Sequence, residues 1–438
     1  MAPMDAAALL ERILGGKAPA VLLHGPAACG KTAGALALHA RFARPTGGGC
    51  LLIAPNYPAA SNLRRRIVRA APTGAVAAPR VTTFAALAAG ILAEAGDGGH
   101  MLSPVARQRL LRRIVRDLAG AGKLKALAAS ADTPGLILSL DRSIAELKRA
   151  AVEPEDLARA LAPSDAKGRD LATVYARYQE RMRAAETYDV EGQMWRAREH
   201  LENDEGLAAL ADVEAVAVDG FTDFTPTQLA ILAGLAPRLT CLLITLPLAA
   251  DGRERLWHWT ARTRERIRDA FGGDLHEIAL DRDRAGPAGA PLVDRVFDFD
   301  AAPCAPPDAL RLISAAGVDA EVAAVATRIK RLLLAEPAGV RVAVLARSLD
   351  AYREPIERIF AECDVPVAAA PRPLTAEPVV RFALDAAALA PDYPSADVLR
   401  VIKSSYFRPG AIGEFAEGDA VVAEMVIRHG NVLDGRES

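Results

Sequence analysis

The residues best equipped for chemistry are Gly25-Pro26-Ala27-Ala28-Cys29-Gly30-Lys31-Thr32, which fit the pattern G-x-x-x-x-G-K-[ST]. Glycines at both ends let backbone N–H groups wrap a phosphate chain, Lys31 brings a point charge to the outer phosphates, and Thr32 offers a hydroxyl to Mg²⁺. Cys29 reads as a small filler of this loop rather than a nucleophile. A metal held this way needs a carboxylate opposite the hydroxyl. Asp219, at the end of the apolar run Val216-Ala217-Val218, is the candidate. The expected ligands are therefore ATP and Mg²⁺, with Gly25 to Thr32 at the nucleotide and Thr32 and Asp219 at the metal.

A phosphate loop works only where a buried strand runs into a helix N-terminus. Ala20-Val21-Leu22-Leu23-His24 supplies the strand and Thr32 to Phe42 the helix. Cys50 to Ala54 is a second buried strand, stopped by Pro55 and Asn56 and followed by a helix through Arg64 to Arg69. Strand and helix in alternation predict a parallel sheet covered by helices. From Ser103-Pro104, a cap followed by a first-turn proline, Leu110, Leu111, Ile114, Val115 and Leu118 recur at helical spacing, as do Leu171, Val174, Tyr175, Tyr178 and Met182. Residues 98–205 therefore read as an all-helical insertion between 1–97 and 206–300. Strands at Glu214 to Val218 and Cys241 to Leu246 complete the sheet, which explains why Asp219 lies 188 positions after Lys31. Arg282 to Pro307, with Gly286, Pro287, Gly289 and Pro291, reads as a linker. A second α/β unit over 308–390 would have strands at Leu310 to Ile313 and Val340 to Ala346, around a helix carrying Val322, Val325, Ile329 and Leu332. Residues 391–438 begin another helical region, and the chain stops at Gly435-Arg436-Glu437-Ser438 without a closing signal, as a fragment of a longer protein would.

Composition sets the outer limits. With 438 residues, 51% hydrophobic but 5% aromatic, the chain has enough aliphatic content for about two to four domains and is not disordered. No apolar stretch approaches the roughly eighteen residues that a membrane span needs, and the start lacks a basic segment leading into an apolar one. Five cysteines without C-x-x-C spacing argue against a disulfide framework or a zinc site, so a cytoplasmic protein with reduced thiols is expected. The net charge of -2 averages over unlike regions: from Ser61 to Arg116 ten basic residues face two acidic ones, a local balance of +8. That region is open to two readings, a polyanion-binding surface or a solvated arginine-rich face.

Four segments, in order, resemble the superfamily-one DNA helicases of the UvrD/RecB type. They are the P-loop, Leu51-Leu52-Ile53-Ala54-Pro55-Asn56-Tyr57-Pro58-Ala59-Ala60, Thr82-Thr83-Phe84-Ala85-Ala86-Leu87, and Val218-Asp219-Gly220-Phe221-Thr222-Asp223 followed by Gln228. Val342-Ala343-Val344-Leu345-Ala346-Arg347 is similar to a later motif of the same family. Asp-Gly-Phe in place of Asp-Glu-Phe, Phe224-Thr225-Pro226-Thr227-Gln228 and Glu146-Leu147-Lys148-Arg149 resemble the AddB/RexB subunit of bacterial ATP-dependent helicase–nucleases. Full-length members carry a PD-(D/E)xK nuclease and iron–sulfur cysteines, neither of which is visible here.

The resemblance implies two RecA-like P-loop NTPase domains with helical insertions. ATP would lie between Lys31 and Thr32 on one side and Arg347, reaching the γ-phosphate, on the other. Asn56, Arg64, Arg65, Arg66, Thr83 and Phe84 would build the DNA surface. The implied function is a helicase-like subunit for double-strand-break processing and recombination repair, acting on DNA with a partner of the AddA/RexA type. Two departures bear on turnover. The family's water-positioning Glu is replaced by Gly220, and Ile244-Thr245-Leu246-Pro247-Leu248 lacks the Gln block expected after the next strand. Binding of ATP is thus better supported than hydrolysis, with Asp219 and Arg347 as the catalytic candidates. A non-catalytic DNA-clamping scaffold and an unrelated P-loop NTPase are the alternatives. Asp223 and Gln228 stay open between the nucleotide site and loop or helix capping, Arg347 between the γ-phosphate and a strand-end surface position, and Trp257 and Trp259 between base stacking and helix packing.

Overall fold

The computed structural model describes residues 6–16, 18–44, 48–71, 74–76, 78–249, 252–280, 295–306, 310–336, 340, 342–368, 374–389, 393–408, 413 and 418–430. The linker glycines and prolines at 286–291 and the terminal 435–438 fall outside them. The chain divides into two compact units, Met1–Leu310 and Arg311–Ser438.

The first unit opens with helix α1 (Ala6–Leu14), strand β1 (Ala20–Gly25), α2 (Lys31–Phe42), β2 (Gly49–Ile53), α3 (Tyr57–Ala70), β3 (Val81–Thr82) and α4 (Phe84–Glu94). It continues through β4 (His100–Met101), α5 (Pro104–Gly120), α6 (Pro134–Arg149), α7 (Pro154–Ala160), α8 (Ala166–Ala184), β5 (Thr187–Tyr188) and α9 (Val190–Glu202). It closes with β6 (Val213–Val218), α10 (Pro226–Leu235), β7 (Cys241–Pro247), α11 (Glu254–Phe271) and β8 (Leu275–Ala279). Six strands form one parallel sheet in the order β3-β2-β6-β7-β1-β8, which establishes the α/β class.

Near-continuous aliphatic strands are what a parallel sheet covered on both faces requires, and their side chains alternate between two cores. Leu22, Leu51, Ile53, Val216, Val218, Leu242 and Ile244 pack with α4, α9, α10 and α11. Val21, Leu23, Leu52, Ala215, Ala217 and Leu243 pack with α1, α2 and α3. Burial pushes the Cys50 and Cys241 thiols up to about 12, so both behave as small hydrophobes.

The helical insertion has its own core from α5, α6 and α8, including Leu111, Ile137, Tyr175 and Tyr178. Two differences from the sequence reading appear here. The stretch 98–205 is not all helical, because β4 and β5 pair in parallel and bring its two ends together. Helix α9 returns to the sheet: Met194, Ala197 and Leu201 lie one turn apart on a face buried against α4 and the strands.

The root of the insertion is held by charge. The side chain of Asp97, fully buried, meets His200 Nε2 at 2.9 Å and Arg196 Nη2 at 2.8 Å and accepts from the Gly99 N–H, while His200 Nδ1 lies 2.5 Å from Glu205 Oε2. Burial disfavours the imidazolium, but its bonds to Asp97 and Glu205 outweigh that and raise the His200 pKa above its ordinary value. A raised histidine pKa gives stability that is full below about pH 6.5 and is lost as pH rises through the folded value. His200→Gln is therefore expected to cost more stability at pH 6 than at pH 9. Thermal unfolding of both proteins across that range measures this, and a pH-independent difference would remove His200⁺ from the account.

In the second unit, helices at Val318–Ala335 and Arg353–Glu362 enclose a small core of Val322, Ala326, Ile329, Ile356, Ile359, Phe360 and Val365. The sheet expected here is not found among the described residues. Leu310 to Ile313 and the described part of Val340 to Ala346 fall in no strand, and Leu312 and Leu345 are more than nine-tenths exposed. A parallel strand needs ladder neighbours and cover on both faces, and Val344 to Ala346 lie beside one helix pair. Helices at Pro378–Ala388, Ser395–Ile402 and Asp419–Gly430 follow, the first within 308–390 and the other two within 391–438.

Candidate functional site

The phosphate loop is built as its residue types demand. At Gly25 a Cβ would come within 2.6 Å of both the Cys29 sulfur and the Leu280 carbonyl oxygen, so no side chain fits. Ala28 and Gly30 both take left-handed backbone, with φ of 64° and 102°, which turns the loop over β1 and into α2. No side chain caps the N-terminus of α2, whose first turn begins at Lys31 and Thr32. That leaves the positive end of its dipole facing the loop. Lys31 Nζ is folded inward, donating to the carbonyl oxygens of Gly25 at 2.7 Å and Pro26 at 2.5 Å, with Cys29 Sγ 3.4 Å away. The ammonium thus already sits in the loop that phosphates would enter.

The sheet brings the carboxylate to it. Strand β7 lies between β1 and β6, with Thr245 opposite Leu23 and Ile244 opposite Val218. Asp219 follows Val218 directly, and its N–H donates to the Ile53 carbonyl at 3.0 Å, fixing the backbone from β2. Its side chain, 6% exposed, accepts from Thr32 Oγ1 at 3.2 Å and Thr245 Oγ1 at 2.8 Å, both on Oδ1. A hydroxyl from the phosphate loop and a carboxylate from a strand 187 residues later are thus in contact. A hard, oxygen-ligated cation such as Mg²⁺ beside a phosphate takes this donor pair, so the residues fit ATP·Mg²⁺. Thr245 has no motif to mark it; the one signal is a hydroxyl inside an otherwise apolar strand.

The segment after Asp219 is organised by packing. Gly220 has φ of 89°, and a Cβ there would stand in ordinary contact with Pro55 Cδ at 3.5 Å. Phe221 and Phe224 stack at 5.0 Å between centroids, and Phe84 meets Phe221 edge-on at 5.4 Å. Asp223 turns to α11, where its Oδ1 accepts from Arg266 and Thr263, and from the N–H of Phe224. Gln228 closes a capping box with Thr225 at the start of α10. Both residues therefore serve loop and helix geometry. Of the two tryptophans, Trp257 packs partly buried against the core, whereas Trp259 is 73% exposed beneath the Arg262 guanidinium, 5.8 Å from its ring centre.

The proposed DNA residues separate into two groups. Asn56 and Thr83 cap α3 and α4, accepting from the N–H groups of Ala59 and Ala86. Phe84 is a correction: at 5% exposure, inside the aromatic cluster, its ring offers no face to a base. Arg64, half-buried, is spent on the Val81 carbonyl. Arg65 and Arg66 are exposed, and Arg69 adds to their face one turn on. Arg347 lies exposed in the second unit, at the rim of a cavity of about 560 Å³ lined by Val322, Val325, Tyr352 and Phe360. Among the described residues no helix is long and apolar enough to cross a membrane.

Comparison with known proteins shows the family of the chain. The chain is 32% identical over 420 residues to the B-type subunit of the ATP-dependent helicase/deoxyribonuclease of Moorella thermoacetica, covering 87% of this chain and 35% of that protein. Proteins of the same description from Pelotomaculum thermopropionicum and Geobacillus thermodenitrificans are 28% and 27% identical, covering 87% and 80% of this chain and 35% and 32% of their own lengths. The chain thus spans about a third of the curated relatives it matches. The family model described as ADDB, N-terminal, matches residues 22–282, more than half of the chain and inclusive of Lys31, Asp219 and Thr245, so the chain belongs to that family.

Proposed function

We propose that the chain is the ATP- and DNA-binding portion of a helicase-like subunit that serves double-strand-break processing and recombination repair. Its partner would be a helicase–nuclease subunit of the AddA/RexA type. The contact between Thr32 and Asp219 carries the nucleotide half of this reading, because it joins a phosphate-loop hydroxyl to a carboxylate from distant sequence, the pair that ATP·Mg²⁺ would need. Gly25 to Thr32 hold the phosphates, and Thr32 and Asp219 hold the metal. Bound Mg²⁺ supplies charge neutralisation at the outer phosphates. The names of the relatives support both the ATP dependence and the assembly with a second subunit.

Gly220 and the engagement of Asp223 with α11 favour a second reading, in which nucleotide is bound for stability and DNA is clamped without turnover. DNA-stimulated phosphate release by the purified protein would exclude it.

The DNA half rests on Arg65, Arg66 and Arg69, which are exposed on α3 and paired with no acid among the described residues. Arg65→Ala with Arg66→Ala is expected to flatten the log–log salt slope of DNA affinity by about 0.7 to 0.9 for each arginine that meets a phosphate. Arg64→Ala is expected to leave the slope unchanged, since that guanidinium is already committed to the Val81 carbonyl. Equal slopes in the double variant and the parent would return α3 to a solvated face.

A further inference from the structure

We propose that Thr245 is the positioning residue of the metal carboxylate, and this rests on the reading of the P-loop as an ATP·Mg²⁺ site. Thr245 is 2% exposed on β7, the strand that separates the phosphate-loop strand from the Asp219 strand. Its hydroxyl donates to Asp219 Oδ1 at 2.8 Å, closer than Thr32 at 3.2 Å on the same oxygen. These two donors differ in what they are free to do. The Thr32 hydroxyl belongs to the loop and is the group that turns to a metal. When it does, Asp219 loses a partner, and a buried carboxylate with one fewer hydrogen bond would rotate to find another. Thr245 cannot leave, because its strand is locked between β1 and β6. It therefore keeps Oδ1 in place while Thr32 is released.

A purely structural role makes the opposite demand. Threonine suits a strand by shape, and a buried hydroxyl needs some acceptor, so Asp219 could merely satisfy Thr245. Two substitutions separate the roles. Thr245→Val keeps the branched shape and removes the hydroxyl, whereas Thr245→Ser keeps the hydroxyl and removes a methyl group.

The experiment measures binding of a fluorescent ATP analogue to the whole chain, with Mg²⁺ and with EDTA, alongside thermal unfolding without ligand. Groups that orient a metal ligand commonly contribute about tenfold or more to metal affinity. Thr245→Val is expected to lose about tenfold in the enhancement that Mg²⁺ gives to ATP affinity, with EDTA affinity unchanged, and Thr245→Ser to retain the enhancement. An undiminished enhancement in Thr245→Val, or equal weakening with and without Mg²⁺, overturns the proposal. So does a pattern in which Val behaves as the parent and Ser is the damaged variant in both binding and unfolding. Absence of ATP binding by the parent chain would instead sink the P-loop reading itself, which keeps the two failures apart.

Discussion

Lys31→Ala is expected to weaken ATP binding on the order of a hundredfold, or about 3 kcal/mol. Hydrogen bonds to charged groups contribute about 1.5 to 3 kcal/mol each, and the ammonium is placed to make more than one with the outer phosphates. The gain is not the full sum, because Lys31 must first release the Gly25 and Pro26 carbonyls. Losing those internal bonds also changes the free loop, so ligand-free unfolding has to be measured beside affinity. The expected pattern is a small change in unfolding temperature without ligand and the loss of nearly all ATP-induced stabilisation at a concentration that saturates the parent. Labelled ATP bound equally well by Lys31→Ala would remove the P-loop from the nucleotide site, whatever the resemblance of the motif.

The parts of this site that are legible in the sequence are those fixed by local pattern. Buried strands and the helix after the loop follow from short apolar runs and a glycine-rich turn, and β1, α2, β2, β6 and β7 fall within a residue or two of where those runs put them. Asp219 is legible because a carboxylate ends such a run. Strand β8 is not, since Leu275-His276-Glu277-Ile278-Ala279 at a sheet edge needs no continuous apolar pattern. Helix α9 groups with the insertion by sequence adjacency, whereas its Met194, Ala197 and Leu201 face is satisfied by the sheet. Individual side-chain duties escape for another reason: Arg64 and Arg65 are identical in type, and a turn of helix decides which meets a carbonyl and which meets solvent. Phe84 reads as part of a DNA surface from its motif alone. Its partners Phe221 and Phe224 come from the far side of the insertion, and contact at such separation leaves no trace in local spacing.

The same distinction between placed and merely present groups governs the expectation for turnover. A carboxylate that activates water commonly contributes about a hundredfold to ten-thousandfold, or about 3 to 5 kcal/mol of barrier. Position 220 has no side chain. Asp223, the nearest acid beyond it, is turned to α11 by Arg266, Thr263 and the Phe224 N–H. We therefore expect ATP·Mg²⁺ to be bound and turned over slowly or not at all by the chain alone, with DNA present or absent. Restoring a glutamate at 220 is a poor remedy, because φ of 89° is left-handed and costs an L-residue about 1 to 2 kcal/mol before the carboxylate is aimed at anything. The informative comparison is single-turnover hydrolysis with DNA by the parent, Asp219→Ala and Asp223→Asn. Asp223→Asn should leave the slow rate unchanged, since its carboxylate is engaged away from the loop, and Asp219→Ala should remove whatever Mg²⁺-dependent rate exists. A fast parental rate that falls by a hundredfold or more in Asp223→Asn would make that residue the missing base and the chain an active motor, with the α11 contacts as a latch to be opened on DNA.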